Sequence, residues 1–130
     1  MSYLSSNQLK QYRDEGFVSP INIFTNQKAK EIRNEIEFIE NKIPGELEKS
    51  GRYNAHIISP LLDEVTHNSK ILDAVESLIG KNILVCGTTL FIKNPIEKGF
   101  VSYHQDAKYI GLEPHNWVTA WVAITDSNEK

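Results

Sequence analysis

Residues 99–125 read GFVSYHQDAKYIGLEPHNWVTAWVAIT, with His104, Gln105 and Asp106 near the centre. In a β-strand, residues two apart point to the same face, so His104 and Asp106 would be neighbours there. An imidazole nitrogen and a carboxylate oxygen placed in this way supply two of the three ligands in the 2-His-1-carboxylate triad of non-haem Fe(II) oxygenases. The alternative is a surface histidine beside a solvated aspartate, because this short pattern often occurs by chance.

The residues around this pair form a longer pattern. His104 to Asp106 give an H-Q-D motif, Tyr109 follows three residues later, and a V-T-A-W segment begins at Val118. The complete pattern comprises residues 89–95, 99–106, 109, 111–112, 114 and 118–127. In this order and spacing, the chain resembles the phytanoyl-CoA dioxygenase family of Fe(II)- and 2-oxoglutarate-dependent oxygenases. The resemblance reaches the N-terminal helices and covers nearly the whole chain.

The resemblance implies a metal site and a reaction. His104 and Asp106 would bind Fe(II), 2-oxoglutarate would chelate two further positions, and O2 would take the last. Conversion of 2-oxoglutarate to succinate and CO2 would then accompany hydroxylation of a C–H bond in a small organic substrate. The carboxylate of Asp106 favours hydroxylation over chlorination, because related halogenases have a small residue at this position.

Four more residues receive roles from the same resemblance. Trp121 corresponds to a tryptophan that packs against 2-oxoglutarate, and a core aromatic in a buried strand is the alternative for it. Thr89 corresponds to a position that contacts the co-substrate. In a strand, Gln105 would point away from His104 and Asp106, so it would hold these ligands in place without binding the metal, or be structural. Tyr109 would help to close the pocket.

In the region of residues 45–60, family members often carry a basic or polar residue that reaches the 2-oxoglutarate pocket. His56 is the nearest candidate, followed by Arg52, and a partly exposed structural histidine is the alternative for His56. His67 lies just before a predicted helix, and His115 lies in a polar loop. Neither is expected to be a ligand, because the family pattern requires none at those positions.

The family's second iron-binding histidine and the arginine that pairs with 2-oxoglutarate would follow Lys130, the last residue of the sequence. We therefore expect these 130 residues alone to be poorly stable, oligomeric or inactive. Two functions remain open. The first is an oxygenase of which this chain is a part, and the second is a truncated, non-catalytic remnant or interaction module with weak metal binding.

Composition narrows the choice of partners and compartment. A formal net charge of −3 gives no reason to expect nucleic acid or an anionic membrane as partner. The single cysteine, Cys86, allows no internal disulfide and is typical of a reducing cytoplasm. The longest apolar runs are too short to span a bilayer, and the N-terminus lacks the features of a signal peptide. We predict a cytoplasmic protein with a small-molecule substrate, and the oligomeric state is left open.

Three helices are predicted in the first 80 residues. Ser5 and Gln8 form a capping box for the first helix, and Thr25 is a favourable N-cap for the second. The third begins near Asn68 or the next residue and ends at Gly80. The second helix carries an apolar stripe formed by Ala29, Ile32, Ile36 and Ile39.

Strands are predicted for residues 83–92, for the segment containing the H-Q-D motif, and for residues 117–124. The first is largely apolar on both faces, so we expect it to be buried, with Cys86 as a small core residue. Helices followed by closely spaced strands indicate a helical layer packed on a sheet.

The resemblance makes the fold class more specific. It implies a double-stranded β-helix, which is a jelly-roll or cupin-like barrel, with the N-terminal helices packed on its sheet. Residues 1–130 would form the N-terminal part of one such domain. The helical region would cover about residues 1–80, and the start of the β-helix core about residues 81–130.

Overall fold

The computed structural model describes residues 3–47, 49–94, 96 and 98–126. Two 3-10 turns, Ser50–Arg52 and Ala55–Ile57, lie within this part of the chain. The α-helices found there are α1 (Ser6–Glu15), α2 (Asn26–Lys42), α3 (Pro60–Thr66), α4 (Ser69–Ile79) and α5 (Ala107–Ile110). Pro95 and Ser127, which carry part of the sequence pattern, lie outside the described residues.

Local capping explains where the predicted helices begin. The Ser5 hydroxyl accepts the amide of Gln8 at 3.3 Å, and Gln8 Oε1 accepts the amide of Ser5 at 2.9 Å. Thr25 accepts the amide of Lys28, and Asn68 accepts two amides in the first turn of α4. Each cap of this kind contributes about 1 kcal/mol. The predicted starts of α1, α2 and α4 are therefore confirmed.

The core lies between α2, α3 and the segment that joins them. Ile32 and Ile39 from the predicted stripe are buried, and Ile36 packs at the edge of the core. Their buried partners are Leu47, Ala55 and Leu62. Full burial of an isoleucine or leucine contributes about 1.5–3 kcal/mol, so this cluster is the main source of stability in the helical region.

Helix α3 was not predicted, although its sequence carries a start signal. Ser59 is the N-cap, and Pro60 occupies the first helical turn, where its missing amide hydrogen has no cost. Ser59 is 1% exposed, and its hydroxyl donates to Glu35 Oε1 at 2.7 Å. The N-terminus of α3 is thereby tied to α2.

The predicted barrel is wrong. Within the described ranges, the backbone forms no strand and no sheet, and its β-type pairing is an isolated antiparallel bridge between Tyr53 and Thr89. The described residues do not form the predicted jelly-roll or cupin-like β-helix with helices packed on its sheet. A strand exists only when a neighbouring segment accepts and donates its backbone hydrogen bonds.

Residues 83–92 and 117–124 have the composition of strands without their partners. Two hydrogen bonds, from Asn54 N to Thr88 O at 2.8 Å and from Leu90 N to Arg52 O at 2.8 Å, hold the first segment to the loop before α3. Cys86 is exposed, so its predicted place in the core is also wrong.

In the described ranges, no helix has both the length and the apolar character needed to cross a bilayer.

Candidate metal centre

The candidate centre is built on a contact between His104 and Asp106. The Nε2 atom of His104 lies 2.9 Å from Oδ1 of Asp106. Asp106 has helical backbone angles, with φ −57° and ψ −39°, and is the N-cap residue of α5. The two side chains therefore meet across a turn, whereas the sequence predicted a strand. The predicted contact between His104 and Asp106 is present, but the β-strand that was predicted to produce it is not.

The other ring nitrogen of His104 shows how the imidazole is oriented. Nδ1 lies 2.7 Å from the carbonyl oxygen of Ser102. A carbonyl can only accept, so Nδ1 carries a hydrogen and donates it. This hydrogen bond raises the pKa of His104, burial opposes the rise, and the Asp106 carboxylate adds to it. Because Nδ1 donates to Ser102, Nε2 is the ring nitrogen that faces Asp106, where it can donate to Oδ1 when protonated or bind a metal ion when not.

The two oxygens of Asp106 have different partners. Oδ1 faces His104, whereas Oδ2 accepts the hydroxyl of Thr119. The Thr119 oxygen in turn lies 3.3 Å from the indole nitrogen Nε1 of Trp117. No role was predicted for Thr119 or Trp117. The available signal was the V-T-A-W segment, in which a hydroxyl residue lies two positions before the assigned tryptophan.

The pair has the chemistry and spacing of two adjacent metal ligands. Metal bonds to imidazole nitrogen and carboxylate oxygen are about 2.0–2.2 Å long, which places neighbouring octahedral ligands about 3 Å apart. The observed separation of 2.9 Å between Nε2 and Oδ1 agrees with that value. Both side chains are partly open to solvent, at 36% for His104 and 40% for Asp106, so an ion could reach them.

A third protein ligand is not placed beside the pair in the described part of the chain. No group of three or more His, Cys, Asp or Glu side chains there could hold a metal ion. His115 is exposed, and His67 is the C-cap residue of α3. The structure thus brings together the two residues predicted to be ligands, whereas a facial triad requires three.

Gln105 and Tyr109 lie next to the pair. The ring of Tyr109 meets the His104 ring edge to face, with centroids 5.9 Å apart and an interplanar angle of 70°. The Gln105 carbonyl accepts the amide of Lys108 at 3.1 Å within the first turn of α5. The predicted roles of Tyr109 in closing the pocket and of Gln105 in supporting the ligands stay predictions.

Trp121 is 68% exposed, which excludes the alternative of a buried core aromatic. Its assignment against 2-oxoglutarate stays a prediction. Thr89 forms the isolated bridge with Tyr53, and its contact with the co-substrate stays a prediction. His56 belongs to the same region as Thr89, because its Nδ1 lies 2.8 Å from the hydroxyl of Thr88.

His56 also borders an open cavity of about 470 Å³, lined in addition by Ile57, Ile58, Pro60 and Asp63. The carboxylate of Asp63 disfavours a dianion such as 2-oxoglutarate in this cavity. The structure therefore gives no support for His56 as a co-substrate ligand beyond the sequence pattern, and that role stays a prediction.

Arg52, the other candidate in this region, has a donor that is unpaired within the part of the chain that the structure describes. Among the described residues, its buried Nε atom has no hydrogen-bond partner, while the guanidinium carbon lies 5.1 Å from the Tyr53 ring centroid. A buried donor without an acceptor costs about 1–3 kcal/mol. A carboxylate bound there would relieve that cost, so the side chain fits the charge of 2-oxoglutarate.

Comparison with known proteins gives one match. The family model described as phytanoyl-CoA dioxygenase matches residues 12–130. No curated protein and no solved structure matches the chain significantly. The matched region begins within α1 and includes His104, Asp106, Thr119 and Trp121.

Proposed function

Because this chain belongs to the phytanoyl-CoA dioxygenase family, we propose that it acts as a non-haem Fe(II)- and 2-oxoglutarate-dependent dioxygenase. The family implies oxygenase chemistry of this type. The proposed reaction hydroxylates a C–H bond of a small organic substrate and releases succinate and CO2. The observation that carries the proposal is the 2.9 Å contact between His104 Nε2 and Asp106 Oδ1 within the matched region.

Each ligand would use a specific atom. His104 would bind the metal through Nε2, because Nδ1 donates its hydrogen to Ser102. Asp106 would bind through Oδ1, because Thr119 donates to Oδ2. Bound Fe(II), with 2-oxoglutarate and O2, supplies the oxidising chemistry, while the protein holds and orients the reactants.

Several residues would contact the co-substrate. Arg52 has a buried donor that would pair with a carboxylate of 2-oxoglutarate. Trp121, Thr89 and His56 keep the co-substrate roles given by the family resemblance. The small-molecule substrate, the lack of nucleic-acid or membrane partners and the cytoplasmic location also remain proposals.

A second function is favoured by one observation. The described residues bring only two ligands together, and both are partly open to solvent. A metal held by two exposed ligands would bind weakly. The second candidate is therefore a non-catalytic family member or interaction module with weak metal affinity.

Two measurements test the first function and separate it from the second. Co(II) is titrated calorimetrically into the purified chain, and succinate is then measured with Fe(II), 2-oxoglutarate and O2. The turnover assay is run with and without added imidazole, which can supply a third nitrogen ligand. We expect metal binding and imidazole-supported succinate formation, and we expect the Asp106→Ala variant to lose both.

The matched control is Asp126→Ala, which removes an exposed aspartate from the same part of the chain. It should retain metal binding and succinate formation. Metal binding without succinate, with or without imidazole, would favour the non-catalytic function. Co(II) affinity that is equal in the unsubstituted chain and in Asp106→Ala would refute the proposed metal centre.

A further inference from the structure

The partners of Asp106 divide its carboxylate into two unlike oxygens. Oδ1 lies 2.9 Å from His104 Nε2, and Oδ2 accepts the Thr119 hydroxyl. Asp106 and Thr119 are 13 residues apart in sequence, so this hydrogen bond connects the start of α5 to the V-T-A-W segment. A contact over this distance along the chain holds the carboxylate in one orientation.

The directions of the hydrogen bonds follow from the chemistry of the groups. An ionised carboxylate only accepts, so the single hydroxyl hydrogen of Thr119 is donated to Oδ2. An indole nitrogen only donates, so Trp117 Nε1 donates to the Thr119 oxygen at 3.3 Å. The hydroxyl is therefore held from both sides. Hydrogen bonds to a carboxylate are also roughly twice as strong as those between neutral groups.

The hydrogen bond to Asp106 Oδ2 affects how many coordination positions on a bound metal stay open. A carboxylate that binds a metal through both oxygens occupies two positions, whereas one that binds through a single oxygen occupies one. A facial triad works because three positions stay open for co-substrate and O2. A hydrogen bond to Oδ2 competes with a metal bond at that oxygen and so favours binding through Oδ1 alone.

We infer that Thr119, oriented by Trp117, is a positioning residue that restricts Asp106 to one metal-binding oxygen. The inference rests on the proposed function, because it takes Asp106 to be a metal ligand. Thr119 touches neither the metal nor the substrate in this arrangement. It acts through the carboxylate that it orients.

The size of the effect can be estimated from comparable contacts. Loss of a partner that supports a metal ligand costs about 10–100-fold in metal affinity. Thr119 is exposed, and the side chain of Asp106 is 40% exposed, so water can partly replace the lost hydroxyl. We expect the loss to be about tenfold, near the lower end of that range.

The experiment compares the unsubstituted chain with Thr119→Val, Thr119→Ser and Trp117→Phe. Calorimetric titration gives the Co(II) affinity of each, and circular dichroism checks that the helices are intact. Infrared difference spectra of chain carrying ¹³C-carboxyl aspartate give the separation of the two carboxylate stretches in the Co(II)-loaded protein. That separation is wide for binding through one oxygen and narrow for binding through two, and a merely structural role for Thr119 would not change it.

We expect a wide separation in the unsubstituted chain and in Thr119→Ser, which keeps the hydroxyl. Thr119→Val should give a narrow separation and about tenfold weaker Co(II) binding. Trp117→Phe should give an infrared separation and a Co(II) affinity between those of Thr119→Ser and Thr119→Val. The Thr119 hydroxyl remains in this variant but no longer accepts a hydrogen bond from the indole. Thr125→Val removes an exposed threonine from the same segment and should change neither readout.

Two results would overturn the inference while the proposed metal centre stands. One is a Thr119→Val variant that binds Co(II) as tightly as the unsubstituted chain and has the same infrared separation. The other is a narrow separation in the unsubstituted chain, a result that requires no variant to fold. A chain that does not bind Co(II) at all would instead refute the proposed metal centre, together with the inference that rests on it.

Discussion

At the scale of single residues, His104 allows a prediction that separates a metal ligand from a structural histidine. Its ring is held by the Ser102 carbonyl, with Nε2 directed at Asp106. Replacement His104→Ala should lower Co(II) affinity by more than about 100-fold, because loss of a ligand costs more than loss of its supporting partner. Titration calorimetry measures the change, and His115→Ala, at an exposed histidine, should bind as the unsubstituted chain does. Equal losses in both variants would mean that His104 is not a ligand.

The buried Nε of Arg52 supports a second prediction at this scale. Within the described residues this donor has no acceptor, so Arg52→Lys should remove the unpaired Nε while keeping the positive charge. If a carboxylate pairs with the guanidinium, 2-oxoglutarate should bind the Co(II)-loaded variant about tenfold more weakly, since a bond to a charged group contributes about 1.5–3 kcal/mol. Arg33→Lys, on the exposed face of α2, is the matched control. Unchanged 2-oxoglutarate affinity in Arg52→Lys would show that Arg52 does not bind the co-substrate.

At the scale of elements, Ser59 joins α2 and α3. It accepts the Leu62 amide at 3.4 Å and donates to Glu35 at 2.7 Å, and it is 1% exposed. Ser59→Ala should lower the free energy of unfolding by about 1–2 kcal/mol, because the helix loses its cap and Glu35 loses a donor. Urea unfolding followed by circular dichroism measures the change. Ser69→Ala, at an exposed position inside α4, should stay within about 0.5 kcal/mol of the unsubstituted chain.

Helices could be predicted from this sequence because their signals are local. The reciprocal contacts of Ser5 and Gln8 span a single turn, and the stripe that contains Ile32 and Ile39 lies on one helix. Helix α3 was missed although Ser59 and Pro60 mark its start, because its seven residues are too few for an apolar stripe to repeat. Strands could not be predicted in the same way, since their existence depends on partners that are distant in sequence.

At the candidate site too, a contact between residues close in sequence was predicted, and a contact between residues distant in sequence was missed. The spacing of His104 and Asp106 predicted their contact, and a turn satisfies that spacing as well as a strand would. Thr119 was missed because its bond to Asp106 crosses 13 residues of chain, which no local pattern reveals. The contact supports metal binding by these residues only together with the family match, because a histidine and an aspartate at this distance also form an ordinary ion pair.

At the scale of the whole molecule, the helical part and the remainder differ in how much apolar surface they bury. Helices α1 to α4 lie between residues 6 and 79, within the region predicted to be helical. The later segments were predicted to begin a β-helix core, and the described residues there form no sheet. That the chain forms part of a single domain stays a prediction. The physical difference is one of degree. Helices α2 and α3 share a buried core, whereas Leu90, Ile92 and Ile124 of the later segments are only partly buried against it, and many other apolar side chains there are exposed.

This exposed surface supports the last prediction, which is that the chain self-associates. Leu84 is 89% exposed, Phe100 is 85% exposed and Trp121 is 68% exposed, and large apolar side chains left in water favour association. Sedimentation velocity over a range of concentrations should show species larger than the monomer. The double variant Leu84→Ser and Phe100→Ser should shift the distribution towards monomer. Phe17→Ser, at a residue that is 55% exposed in the N-terminal part, should leave it unchanged. A chain that stays monomeric at every concentration and unfolds in one sharp thermal transition would show that this surface is covered within the monomer itself.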